Sequence, residues 1–286
     1  METLAECTLC RSSRIETACA QNAFCRCLDC GLYFDNPRPT WGQILEFYSQ
    51  NDKYDEWLAE ENGRDALWRR RLRLVRRHCS KGRLLDVGAG IGQFLHFARE
   101  YFEVAGTEIS PVACRIAREK YGVDLYQGTL ESLPGGATFD VVTLFHVLEH
   151  VPDPRDTLKK CFSLLNPRGV LVVAVPNDVD SILTRRNRMM ERLGAEKYRV
   201  CGKLGLPRLA LDGSEIHLSH FTAPVLQRAL SNAGLEVVES SLDPFFSVSG
   251  MRKVRRYRRY YWYKGVHALF GSNLYDTTWM VAQRPN

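Results

Sequence analysis

The sequence predicts an α/β fold, a doubly wound and mostly parallel sheet with a small metal-stabilised module in front of it. Three observations carry this reading. Val/Leu-rich runs alternate with amphipathic segments from residue 82 onward, a glycine-rich loop follows the first run, and six of the ten cysteines fall within the first 30 residues. Runs such as FDVVTLF (139–145) and GVLVVAV (169–175) are apolar at nearly every position rather than at every second one, which marks strands covered on both faces.

The length of 286 residues fits one large domain with a small module attached. A hydrophobic content of 45% with 25% charged residues excludes a disordered chain. No window approaches 18 uncharged apolar residues, so no transmembrane helix is expected. METLAECTLC has neither a basic nor an apolar leader region, and the expected location is cytoplasmic.

Taken in order, residues 1–40 are too short of apolar runs to bury a core of their own. Cys7-x2-Cys10 and Cys27-x2-Cys30, 16 residues apart, have the two-knuckle spacing of a zinc ribbon. Four thiolates, Cys7, Cys10, Cys27 and Cys30, would close a tetrahedron around a structural Zn2+, with Cys19 and Cys25 as alternative ligands. In a reducing compartment such a cluster points to metal rather than to disulfides. Residues 41–80 read as a helical connector or lid, with Trp41, Ile44, Leu45 and Tyr48, then Leu67, Leu72, Leu74 and Val75, at helical spacing.

The third region, 81–286, carries the α/β pattern. Strands are expected at 83–87, 103–107, 123–126, 139–145 and 169–175, with helices near 92–101, 111–121 and 154–165. A polar, Arg-rich stretch follows to about Ser214; a helix resumes at 222–233, and strands at 235–240 and 277–283 close the domain.

The loop reads Asp86-Val87-Gly88-Ala89-Gly90-Ile91-Gly92, and its glycines let backbone pass close under a ligand at a helix N-terminus. Asp86 would repel a phosphate but suits a ligand bearing an ammonium group. Glu108 ends the next strand, 22 residues on, where a carboxylate can accept from both hydroxyls of a ribose. Ammonium and ribose in one ligand describe S-adenosylmethionine.

On these residues, 82–175 and 216–283 resemble a class I S-adenosylmethionine-dependent methyltransferase, which implies a seven-stranded Rossmann-like sheet. Phe145-His146-Val147-Leu148-Glu149-His150-Val151-Pro152-Asp153-Pro154 is similar to the segment after strand four in the small-molecule branch, which includes ubiquinone-biosynthesis O-methyltransferases. The knuckles, Asn36-Pro37-Arg38-Pro39 and His217-Leu218-Ser219-His220-Phe221-Thr222 resemble a bacterial subgroup with a zinc ribbon ahead of the domain, acting on small or sugar-like molecules. The resemblance implies a cofactor set of Asp86, Gly88, Ala89, Gly90 and Gln93 near the methionine portion and Glu108 and Ile109 at the ribose. Thr129 and Leu130 would flank the adenine, and Phe145 and His146 the floor under the sulfonium. Many relatives carry Asp where Thr129 stands.

The expected reaction is methyl transfer to an oxygen, or less readily a nitrogen, of a small or sugar-like acceptor, with a histidine removing the proton. The ranking is His146, then His217, then His150. His146-x2-Glu149-His150 also spells an inverted zinc-protease motif, but Val151-Pro152-Asp153-Pro154 would break the helix that motif needs. A metal on Glu149 and His150 during catalysis stays open.

The net charge is +6, and the run 252–264 holds seven cations, five aromatics and no acid. Arg185, Arg186, Arg188, Arg192, Lys197 and Arg199 form a second cluster. Three readings compete: a nucleic-acid surface, an anionic membrane or lipid-linked substrate, and a solvated face whose aromatics pack on the core. The charge placement favours an anionic acceptor. A zinc-ribbon rRNA or tRNA methyltransferase is the alternative, weakened because no Asn-Pro-Pro-aromatic tetrad follows strand four; a non-catalytic S-adenosylmethionine-binding regulator is a third. The oligomeric state is not set by the sequence.

Overall fold

The computed structural model of the protein describes residues 1–19, 24–49, 54, 58–59, 61–193, 216–243 and 250–286. Three short strands come first, β1 (Ile15–Cys19), β2 (Phe24–Cys27) and β3 (Tyr33–Asp35), then helices α1 (Trp41–Tyr48) and α2 (Glu61–Val75). The alternation follows as β4 (Gly82–Val87), α3 (Gln93–Ala98), β5 (Phe102–Glu108), α4 (Pro111–Tyr121), β6 (Tyr126–Gln127), β7 (Phe139–Phe145), α5 (Pro154–Leu164) and β8 (Leu165–Pro176). The remainder is α6 (Ile182–Arg192), β9 (Ser219–His220), α7 (Ala223–Asn232), β10 (Glu236–Ser241), α8 (Gly250–Phe270) and β11 (Thr277–Gln283).

Seven strands form one sheet in the order β10-β11-β8-β7-β4-β5-β6. The pairs among β8, β7, β4, β5 and β6 are parallel, and β11 is inserted antiparallel between β8 and β10. Side chains alternate between two cores, as a pleated strand requires. Leu85, Val142, Leu171, Val173 and Met280 face α5 and α7; Leu84, Val141, Val170, Val172 and Trp279 face α2, α3 and α4.

Local chemistry sets the boundaries. Ser110 accepts the Ala113 N–H at 3.3 Å with Pro111 in the first turn of α4, and Asp153 accepts the Asp156 N–H at 3.0 Å with Pro154 opening α5. Thus residues 146–150 are turn rather than helix, as expected from Val151-Pro152-Asp153-Pro154, and Asp153-Pro154 opens the next helix. The strand expected at 123–126 shrinks to Tyr126–Gln127. Gly122 caps α4 in the left-handed region and Val123 donates to the Ala117 carbonyl at 3.0 Å, so the first expected strand residues belong to the helix stop. Residues 194–215, with Lys197 and Arg199, lie outside the described residues.

The N-terminal module has a second sheet, β1-β2-β3-β9. Its last strand comes from nearly 200 residues downstream: Tyr33 pairs with His220, Phe34 with Ser219, and the Asp35 N–H donates to the Leu218 carbonyl at 3.1 Å. Cys7, Cys27, Leu32 and Phe34 are buried in the same core as Leu85 and Val142. The module therefore shares the apolar core of the large sheet, and its own sheet grips the segment bearing His217 and His220.

Candidate active site

At the carboxyl edge of the parallel strands lies a cavity of about 500 Å³. Of the residues implied for the cofactor, Gly88, Gly90, Glu108, Ile109, Thr129, Leu130 and His146 line it. Gly88 has φ +65°, and a Cβ there would meet Val147 Cγ2 at 2.7 Å, so a larger side chain would close the floor. Glu108 is fixed by backbone: the Gly90 N–H donates to Oε2 at 2.8 Å and the Ser110 N–H to Oε1 at 2.9 Å.

Asp86, Ala89, Gln93 and Phe145 are not among the lining residues. Asp86 is buried behind the loop, where the Thr143 hydroxyl donates to it at 2.6 Å; burial raises its pKa to about 7 against that hydrogen bond. Gln93 is buried too, accepting from Trp68 Nε1 at 3.0 Å and donating to Asp65 at 2.6 Å, which clamps α2 onto α3. Phe145 stacks on Trp279 with centroids 5.7 Å apart and lies 4.7 Å beneath the Arg71 guanidinium.

The histidines form one array with carboxylates between them. His146 follows β7 with φ 58°, a left-handed conformation that costs a non-glycine residue roughly 1–3 kcal/mol. Its N–H donates to the Ala174 carbonyl at 2.8 Å, and the turn places its ring between two acids. Nδ1 is 3.3 Å from Glu149 Oε1 and Nε2 is 3.4 Å from Asp243 Oδ2. Burial works to lower its pKa, yet the hydrogen bonds to Asp243 and Glu149 outweigh this and the pKa is raised. Asp243 also accepts from Arg71, with Nε at 3.0 Å from Oδ1 and Nη2 on Oδ2, and both side chains are fully buried.

His150 lines the same cavity. Its Nδ1 contacts the Ile216 carbonyl and lies 3.1 Å from the Tyr48 hydroxyl; Nε2 is 3.9 Å from Glu149. A carbonyl only accepts, so a neutral His150 ring meets the contact with Ile216 as the tautomer that carries its proton on Nδ1. His217 stacks edge-on against His150 with centroids 4.9 Å apart, behind the lining, and its Nδ1 is 3.4 Å from Asp178. His220 Nδ1 is 3.1 Å from the same carboxylate and its Nε2 faces Asp35 at 3.7 Å. Burial would raise the Asp178 pKa, but the hydrogen bonds from His217 and His220 hold it well below the usual carboxylate range.

Several contributors escaped the sequence reading. Trp41, Ile44 and Tyr48 of α1 wall the mouth, and Glu131 joins Thr129 on the lining. The Thr129 hydroxyl donates to Glu131, and this bond lowers the Glu131 pKa, so a charged acceptor stands two residues from the position where many relatives place Asp. An acid two residues beyond Thr129 was the available signal. Among the described residues on the lining there are four carboxylates (Glu108, Glu131, Asp153, Asp156) and no Lys or Arg.

Cys7, Cys10, Cys27 and Cys30 converge at the tip of the N-terminal module, with Cys7–Cys30 and Cys10–Cys27 sulfur separations of 3.6 and 3.5 Å. A tetrahedral Zn2+ with bonds of about 2.3 Å needs edges of about 3.8 Å, so the four sulfurs fit it. The hydrogen bond with Cys30 lowers the Cys7 thiol to about 5 against the opposing effect of burial. Gly31, φ +76°, turns the second knuckle with its N–H on the Cys27 carbonyl at 2.9 Å. Cys25 is buried outside the cluster, 3.9 Å from the Asn36 carbonyl.

Comparison with known proteins agrees with this geometry. The methyltransferase-domain family model matches residues 54–240. The ubiquinone biosynthesis O-methyltransferase of Azoarcus sp. (strain BH72) is 30% identical over 60% of this chain and 72% of its own length. That of Xanthomonas euvesicatoria pv. vesicatoria is 31% identical over 56% of this chain, which spans 64% of that relative. A SAM-dependent methyltransferase of Thermotoga maritima shares the fold, with a TM-score of 0.51 at 21% identity over 85% of this chain and 99% of that one. With its seven-stranded sheet and glycine loop at the carboxyl edge, the chain belongs to the methyltransferase-domain family, as a class I S-adenosylmethionine-dependent methyltransferase.

Proposed function

We propose that the protein methylates a hydroxyl oxygen of a small, uncharged acceptor with an apolar body, with His150 as the general base and a structural Zn2+ on Cys7, Cys10, Cys27 and Cys30. The observation that carries this is the contact between His150 Nδ1 and the Ile216 carbonyl. With the Nδ1 proton held there, Nε2 would be the basic nitrogen of a residue on the lining of the cavity shared with Gly88 and Glu108. The O-methyltransferases among the relatives support oxygen as the target, and a lining with no Lys or Arg among the described residues is in keeping with an uncharged acceptor.

When bound, S-adenosylmethionine supplies an electrophilic methyl group on a sulfonium sulfur. Glu108 would accept from the ribose hydroxyls and Glu131 from the adenine amino group, and Asp86, behind the glycine loop, would act on the ammonium group through its charge rather than by contact. Trp41, Ile44 and Tyr48 would hold the apolar body of the acceptor against the loop, supplying the proximity that accounts for most of such a barrier. His150 Nε2 takes the hydroxyl proton as the oxygen attacks. Glu149, 3.9 Å away, stabilises the resulting imidazolium. His146 is less suited as the base because a carboxylate stands against each of its ring nitrogens and these contacts favour its protonated form. Its role is to hold Glu149 in place. The Zn2+ would contribute folding energy to a module that has little core of its own.

The test is methyl transfer from labelled S-adenosylmethionine to a panel of phenolic and sugar hydroxyls. With the best acceptor, His150→Gln should lower kcat by roughly 10²–10⁴-fold and remove the histidine limb of the pH–rate profile. Cofactor affinity should stay within about twofold. Transfer only to nitrogen, or full turnover by His150→Gln, overturns the proposal.

A further inference from the structure

The basic, aromatic run takes no part in the cavity. It folds as α8, 21 residues with seven Lys/Arg and no Asp or Glu. Its aromatic residues divide by helical phase. Tyr260 is buried, 5.8 Å from Tyr275 between ring centroids, and donates to the Leu242 carbonyl at 3.2 Å; Tyr257 and Tyr263 flank it in the same small core. The opposite face is uncovered: Met251, Trp262 and Leu269 are 84, 69 and 79% exposed, and Val254 and Tyr261 are also exposed. At about 100° per residue, these five and Arg258 fall in one stripe roughly 100° wide, with Arg255 at its border.

A second exposed apolar set lies on a helix joined to the same edge of the sheet. Leu183, Met189 and Leu193, on and just after α6, are exposed beside Arg185 and Arg186. Helix α6 leaves β8 and α8 leads into β11, and those strands are neighbours. The Ile182 N–H accordingly donates to the Leu274 carbonyl at 3.0 Å, and Asn177 Nδ2 to the Tyr275 carbonyl at 2.8 Å. Both helices therefore join the sheet at the edge that carries Gly88, Glu108 and His146.

A single class of partner matches both halves of this surface. A nucleic acid would engage the cations and stack on Tyr261 and Trp262, but would leave Met251, Val254, Leu269 and Phe270 in water. A protein partner would cover the apolar stripe without calling for seven cations unrelieved by any acid on the helix. An anionic bilayer interface takes up both, with apolar side chains at the acyl boundary and guanidinium groups among the headgroups. No helix of the described residues is long and apolar enough to cross a membrane, so the contact is made from the surface.

We propose that the exposed face of α8, with α6 from the same sheet edge, docks the enzyme on an anionic bilayer, Trp262 and Leu269 at the acyl boundary and Arg255 and Arg258 at the headgroups. The inference does not depend on which acceptor is methylated. Flotation of the full-length protein with vesicles of phosphatidylcholine alone, and with about 30 mol% phosphatidylglycerol, tests it. The protein should float with the anionic vesicles, lose that binding at high salt, and show a blue-shifted emission that Trp262→Phe removes. Trp262→Ala with Leu269→Ala, and separately Arg255→Glu with Arg258→Glu, should each weaken binding about tenfold or more with the thermal transition unchanged, since these side chains are exposed. Equal affinity for neutral and anionic vesicles, unaltered binding by both double variants, tighter binding to a single-stranded oligonucleotide, or a dimer that the first double variant dissociates would each overturn the proposal.

Discussion

Asp243→Asn isolates the buried charge system behind the active site. Asp243 is fully buried and faces two cations, Arg71 through a two-pronged hydrogen bond and His146 at 3.4 Å. The amide keeps the shape and removes the charge, leaving the fully buried guanidinium with no counter-charge from this residue; loss of one partner from a buried pair costs about 3–5 kcal/mol. The pH dependence follows from His146. A histidine whose folded pKa is raised contributes stability in full below its ordinary value of 6.5, and that contribution is lost as pH rises through the folded value. The gap between parent and variant in urea unfolding should therefore be larger at about pH 6 than at about pH 9, where only the Arg71 part remains. Arg71→Met combined with Asp243→Leu should recover most of the loss, because an apolar pair needs no counter-charge. A loss under about 1 kcal/mol, or a gap independent of pH, would refute this description of the network.

Two further outcomes follow from the same structure. Metal analysis of the purified protein should find about one Zn2+ per chain, and Cys27→Ser with Cys30→Ser should abolish it and lower the thermal transition; unchanged metal content removes the cysteine assignment. Asp86, whose pKa burial raises to about 7, should ionise further as the cofactor's ammonium group docks. Calorimetry in buffers of different ionisation enthalpy should then show proton release near pH 7 that diminishes by about pH 9, whereas no buffer dependence at pH 7 would place the ammonium elsewhere.

The sequence made some features legible because they depend on local pattern. The Val/Leu runs of β4, β7 and β8 fix strands buried on both faces, and Gly88, Gly90 and Glu108, spaced as one loop and the next strand end, line one cavity. The knuckle spacing likewise selected the four sulfurs that come together. What pattern could not supply were pairings between distant segments. Nothing local tells that Ser219–His220 extends the sheet of the N-terminal module, or that Arg71 and Asp243, 172 residues apart, share a buried site. The histidines depend on the same kind of pairing. Position after strand four favoured His146, while the ring nitrogens of His146 and His150 meet Asp243, Ile216 and Tyr48, all distant in sequence, and the proposal of His150 as base rests on those partners. The tyrosines of α8 show the converse, since helical phase alone separates Tyr260, packed inward, from Tyr261 and Trp262, turned out.

The most direct measurement is titration calorimetry of S-adenosylmethionine into the parent protein and into Glu108→Ala. The parent should bind one equivalent per chain. The variant should bind about 10- to 150-fold more weakly, the equivalent of roughly 1.5–3 kcal/mol for hydrogen bonds to a charged group, with its thermal transition near that of the parent. Absence of saturable binding by the parent, or an affinity for Glu108→Ala within about twofold of the parent, would contradict the assignment of the cavity between Gly88 and Glu108 to the cofactor.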